Sequence, residues 1–153
     1  MRRHAIANRR QRVRLRREEV VRLLDHLLDI VGEPRGASVV LVGDRTIRRL
    51  NRTWMGEDKT TDVLSFPMGD PPPGPAPDDI PLGEIAVCVP VCERAAAARG
   101  RPLHDEIARM IVHGALHLAG HDHATRRQAA RMRPIERRAM RWARRTGIRV
   151  VSP

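Results

Sequence analysis

His113-Gly114-Ala115-Leu116-His117-Leu118-Ala119-Gly120-His121-Asp122-His123 is the stretch on which the reading of this chain turns. Positions i and i+4 of a helix stand one turn apart on the same face, so His113 and His117 offer two imidazole nitrogens to one ion. Gly120 then ends the helix, because glycine readily takes the left-handed conformation that closes helices. The chain turns back there and brings a third imidazole onto the same ion. His123 is favoured for that place by its longer reach, with His121, which sits in the turn, as the alternative. Three nitrogen ligands suit one zinc ion per chain, although nickel or cobalt fit the same imidazoles. They leave one coordination position open, the arrangement of catalytic zinc and not of closed, four-ligand structural sites. Zinc proteases with two helical histidines at this spacing carry a glutamate directly after the first as general base. Here that place is Gly114, so a zinc hydrolase acting on peptide or ester bonds lacks its usual proton acceptor. Glu84, Asp62 and Asp122 are the candidate carboxylates.

The remaining composition bounds what such a site acts on. The 153 residues carry a net charge of +11 from 29 basic side chains, of which only Lys59 is a lysine. Most of that charge lies in residues 2 to 22 and 126 to 149. Arginine is the better bidentate phosphate ligand, so two arginine-rich segments on one small domain favour a polyanionic partner, nucleic acid first. A basic helix face by itself is often merely solvated; joined to the histidine motif, it favours RNA over protein as substrate. Phe66, Trp54 and Trp142 are the only aromatics, which argues against a base-stacking RNA-recognition sheet and predicts low intrinsic sequence specificity. No run approaches the roughly 20 apolar residues of a membrane span, and residues 1 to 17 lack an apolar signal core. No membrane partner is therefore expected, and the expected location is cytoplasmic. Cys88 and Cys92 are too few for a disulfide framework and are not spaced as CxxC, so they read as core thiols.

Along the chain, a short first strand is expected around Ile6. Val20, Leu23, Leu24, Leu27 and Leu28 predict a helix over 18–31, ended by Gly32 and Pro34. Residues 38–42 read as a central strand, 45–54 as a helix, 62–66 as a strand stopped by Pro67, and 85–89 as a further strand. Between the last two lies a proline-rich surface loop at about 69–82, placed where it could cover a substrate. An alanine-rich helix over 91–99 follows, ended by Gly100. Pro102 then opens the histidine-bearing helix, whose Ile107, Met110, Ile111, Ala115 and Leu118 form its buried face. A last helix over 126–145 sets Met132, Ile135, Ala139 and Trp142 against arginines, with Pro134 as a point of kinking or restart. The expected fold is α+β: one domain over 1–153, a mixed sheet of about four strands with helices packed on it, and the zinc site at the end of a buried helix.

In three blocks the chain resembles the YbeY family of zinc-dependent endoribonucleases, also called ribosomal RNA maturation factors. His113 to His123 reproduces that family's His-Gly-x-Leu-His-Leu-x-Gly-x-Asp-His in full. Thr61-Asp62-Val63-Leu64-Ser65-Phe66-Pro67 is similar to its Thr-Asn/Asp-Val-Leu-Ser-Phe-Pro strand, preceded by Leu50-Asn51 and Trp54. Gly83-Glu84-Ile85-Ala86-Val87 is similar to its Gly-Asp/Glu-Ile strand. The resemblance covers about residues 38 to 140. It implies His113, His117 and His123 as the metal ligands and a single-strand-preferring endoribonuclease acting in ribosomal RNA processing and small-subunit maturation or quality control. It also implies ribosomal RNA precursor and the small ribosomal subunit with its proteins as partners. Zinc-bound water and the RNA 2′-hydroxyl both remain open as nucleophile. Where many members carry an arginine after the Leu-Asn pair, this chain has Met55, and Arg52 or Lys59 are the candidates to supply the missing cation. The rival reading is a non-catalytic zinc-containing ribosome-assembly factor that docks on RNA through its basic surface.

Overall fold

The computed structural model describes residues 2–68 and 80–153. Most of the proline-rich loop expected at about 69–82 therefore lies outside the described residues. Among the described residues eleven elements follow one another: β1 (Ala5–Asn8), β2 (Arg14–Leu15), α1 (Arg17–Val31), β3 (Ser38–Val42), α2 (Asp44–Met55), β4 (Val63–Pro67), β5 (Gly83–Cys88), α3 (Val89–Arg99), α4 (Leu103–Leu118), α5 (Arg126–Thr146) and β6 (Val151–Ser152).

The main sheet is mixed, in the order β1-β3-β5-β4. β1 and β5 run parallel to β3, and β4 runs antiparallel to β5, pairing Ser65 with Ile85 and Phe66 with Glu84. Side chains alternate between the faces of a strand, and both faces here are covered, so β3 is apolar from Val39 to Val42 yet still sorts by parity. Val39 and Leu41 enter the larger core with Ile85 and Val87, against α1, α4 and α5. Val40 and Val42 enter the smaller core with Leu64, Ala86 and Cys88, against Ile47 of α2. The architecture is thus α+β, with α1, α4 and α5 on one side of the sheet and α2 on the other.

The helices form where the apolar spacing places them. In α1, Val20, Leu23, Leu24, Leu27 and Leu28 are buried, and Gly32 closes the helix at φ 72°. The stacking of His26 on Trp142, with ring centroids 4.0 Å apart and planes 7° from parallel, fastens α1 to α5. Two residues further along α5, Arg144 donates to Asp105 at 3.0 Å, so the end of α5 also meets the start of α4.

Two expectations need correction, and one strand pairing was not expected. Val89 belongs to α3, because Val89-Pro90 opens that helix where a strand end was expected; proline at the first helical positions forfeits no hydrogen bond. α5 runs through Pro134 without interruption, packed by Met132, Ala139, Met140 and Ala143 and capped by a reciprocal Thr125–Gln128 box. A second sheet pairs β2 with β6, antiparallel, in two residues each; so short a pairing leaves no periodicity to read.

Candidate metal centre

α4 is set against β4 and β5 by Gly114. A Cβ there would lie 2.7 Å from Ile85 Cγ2 and 3.0 Å from Ser65 Oγ, so only glycine admits this approach of helix to sheet. The Ser65 hydroxyl donates to the Gly114 carbonyl at 3.1 Å and pins β4 to the helix one residue from His113. The position that holds a glutamate in zinc proteases is therefore occupied by the packing of helix on sheet, and no acid can stand there.

His113 and His117 leave the exposed edge of α4 side by side, with Nε2 atoms 3.0 Å apart. The helix then closes at Gly120, whose φ is 93°, while His121 N–H donates to the Leu116 carbonyl at 2.9 Å. That reversal returns His123 to the pair: its ring centroid lies 5.3 Å from that of His113 and 5.2 Å from that of His117. One nitrogen of each ring falls within 4.8 Å of the others, so the three imidazoles can hold a metal ion. Nitrogens bound tetrahedrally at 2.0–2.1 Å stand about 3.3 Å apart, which small ring rotations reach from here. His121 is outside the cluster, its backbone spent on closing the helix.

At His117 the electrostatics favour neutral imidazole, the form that binds metal. Burial, then the neighbouring rings of His113 and His123, hold His117 below its ordinary pKa. Asp122 Oδ1 lies 3.9 Å from His117 Nδ1 and 3.8 Å from His123 Nδ1. The His123 backbone N–H, donating to it at 2.7 Å, holds that carboxyl below its usual range.

Of the other candidates, Asp62 joins the three histidines in lining a hollow of about 510 Å³ walled by β4 and Met55. Glu84 does not; it is exposed on β5, opposite Phe66. Met55, half exposed, stands at the mouth of that hollow, where the resemblance implies an arginine. Neither proposed substitute reaches it: Arg52 lines a separate basic hollow with Arg45, Arg48 and Arg49, and Lys59 pairs with Glu57 at 3.2 Å on the surface. Burial pushes the Cys88 thiol up to about 11 and that of Cys92 higher still, so both are inert core thiols. The sequence reading missed Glu136, whose Oε1 lies 3.7 Å from His113 Nδ1. Its signal was present: it is the single acidic residue in α5.

A family model described as "Endoribonuclease YbeY" matches residues 5–143. An "Endoribonuclease YbeY" of Myxococcus xanthus is 52% identical over 99 residues, 65% of this chain and 33% of that protein's length. One of Halorhodospira halophila is 44% identical over 123 residues, 80% of each chain. The solution structure of a Thermotoga maritima protein superposes with a TM-score of 0.61 at 25% identity, covering 94% of this chain and 93% of that one. Fold, histidine cluster and sequence agree, and the chain belongs to the YbeY family.

Proposed function

We propose that this chain is a zinc-dependent endoribonuclease, a single domain over 1–153, that cuts single-stranded RNA during ribosomal RNA processing and small-subunit maturation. The observation that carries this is the cluster of three imidazoles in an open hollow, with no carboxylate at position 114, in a chain of +11 net charge. His113, His117 and His123 are the proposed ligands, and a nitrogen set of this kind suits zinc. An ion held there supplies Lewis acidity toward a phosphodiester oxygen and acidity toward water.

The chain's own groups do the rest. Asp122 orients the rings of His117 and His123 through their Nδ1 edges. Asp62, in the same hollow and free of any salt bridge among the described residues, is the carboxylate placed to take a proton from the attacking hydroxyl. Arginines position phosphates without reading bases. The proposed partners are ribosomal RNA precursor and the small ribosomal subunit with its proteins, in the cytoplasm; no helix among the described residues is long and apolar enough to cross a membrane. One observation favours a second reading, a non-catalytic assembly factor: Met55 leaves the hollow without the arginine that the family pattern carries there.

The test is to purify the chain free of nucleases, measure its bound metal, and incubate it and a His117→Ala variant with ribosomal RNA precursor, alone and within assembling small subunits. Cleavage lost together with the metal in the variant supports the nuclease. Equal products from both proteins expose contamination and sink it, and a metal-loaded parent that binds RNA without cutting selects the assembly factor.

A further inference from the structure

His113 and His123 line two hollows, not one. Besides the hollow walled by β4, they open onto a groove of about 600 Å³ between α4 and α5. Its floor is apolar, from Val112, Ala129, Met132 and Met140, and its rim carries Arg109, Arg133, Arg137 and Arg141. The contacts of His113 with Glu136 and of Asp105 with Arg144 fix the two helices as antiparallel. The groove therefore runs from the histidines, past Arg133 and Arg137, toward Arg141 and Arg109. Arg133, Arg137 and Arg141 follow one another at i, i+4 and i+8, so they share a helix face and stand about 6 Å apart along the axis. That interval is comparable to the separation of successive phosphates on an extended strand.

The charge of this rim is unspent. Arg144, at the far end, is taken up by Asp105 at 3.0 Å, but Arg109, Arg133, Arg137 and Arg141 are ion-paired to no carboxylate among the described residues. Among the described residues, Glu136 is the only acid lining the groove. Four unneutralised guanidinium groups in one concave surface repel each other, an arrangement that a polyanion relieves.

We infer that the α4–α5 groove is the track for one flank of the RNA strand: the strand crosses the histidines from the β4 hollow and lays successive phosphates along Arg133, Arg137 and Arg141. This rests on the endoribonuclease reading and adds the path of its substrate. Cleavage then falls at the junction of the two hollows, and substrates long enough to fill the groove gain over shorter ones.

The test compares the metal-loaded parent with a ladder variant, Arg133→Gln, Arg137→Gln and Arg141→Gln together. A control variant carries Arg127→Gln, Arg131→Gln and Arg138→Gln, the same loss of charge on exposed positions of α5 outside the groove. Single-stranded oligoribonucleotides of roughly 4 and about 16 nucleotides serve as probes. The ladder variant is expected to cut the short probe as the parent does and to lose the advantage of the long one. Its slope of log affinity against log salt should fall by about 2, from roughly 0.7 per lost phosphate contact. The control should keep both length advantage and slope, as should a variant with lysine at the three ladder positions. Equal losses in ladder and control variants, or none in either, overturn the track, as does competition by polyglutamate that matches competition by RNA. A parent that binds but cuts neither probe refutes the endoribonuclease reading, while the salt slope still decides the track.

Discussion

Glu136 Oε1 faces Nδ1 of His113 at 3.7 Å, on the ring edge opposite the Nε2 that meets His117. Metal-bound imidazoles usually present their second nitrogen to a carboxylate, which fixes tautomer and ring orientation and raises ligand basicity. Glu136 reaches in from α5 and stands in that relation to the proposed ligand. Glu136→Gln keeps the volume and removes the charge, and it should weaken metal binding by roughly 10- to 100-fold, measured with zinc as the probe. Chelator competition on the purified chain measures this directly. Unchanged affinity with a folded protein would reduce Glu136 to a surface partner of His113.

Met55 gives a prediction of opposite sign. It lines the hollow of the three histidines and is half exposed, so a longer polar side chain fits there without disturbing the core. Met55→Arg should raise kcat/KM on single-stranded RNA by about tenfold, the worth of one charge-assisted hydrogen bond to phosphate. The gain should shrink as salt rises. A variant no faster than the parent at low salt would mean that this chain's chemistry does not use a cation at that place.

What the sequence disclosed and what it withheld divide along the range of the interactions. The His113–His117 pair, the reversal at Gly120 and the strand over 38–42 are consequences of local sequence over a few residues, and each could be read directly. The same holds for Leu23, Leu24, Leu27 and Leu28. Glu136 could not be assigned, because its relation to His113 exists only once α5 lies against α4. Nor could β2 and β6, whose two-residue strands come from opposite ends of the chain. Gly114 was legible only as a missing glutamate; its closeness to Ile85 required the sheet.

That closeness is itself testable. Gly114→Ala gains about 1 kcal/mol of helix propensity, yet its Cβ would stand 2.7 Å from Ile85 Cγ2, on a β-branched side chain that is fully buried and cannot swing away. Overpacking of this kind costs about 1–3 kcal/mol, so the net expectation is a loss of stability of about 1 kcal/mol. Urea unfolding of the single variant and of Gly114→Ala with Ile85→Ala measures it. Because the two sites touch, the double variant should be more stable than the sum of the two single losses. Simple additivity would mean that the helix shifts off the sheet and that the clash carries no energy.

His26 carries the last prediction, on acid stability. Its Nε2 is buried against Trp142 without a hydrogen-bond partner among the described residues, and burial first, then Arg138, holds its pKa below the ordinary value. Asp29 opposes that shift and Arg145 adds to it, neither enough to reverse it. His104 is shifted the same way by burial and then Arg149. A histidine whose folded pKa is depressed binds its proton more readily in the unfolded chain. Its neutral form therefore contributes stability that is complete above about pH 6.5, the value for a free imidazole, and lost as pH falls through the window down to the folded pKa. Urea midpoints of the metal-free chain should accordingly fall between about pH 7 and pH 5.5, above the range where carboxylates begin to titrate. His26→Phe keeps a ring on Trp142 and removes the titration, so its midpoint should fall less over the same interval. A variant with the parent's full pH dependence would assign the effect to His104 and His117 and leave His26 as packing alone.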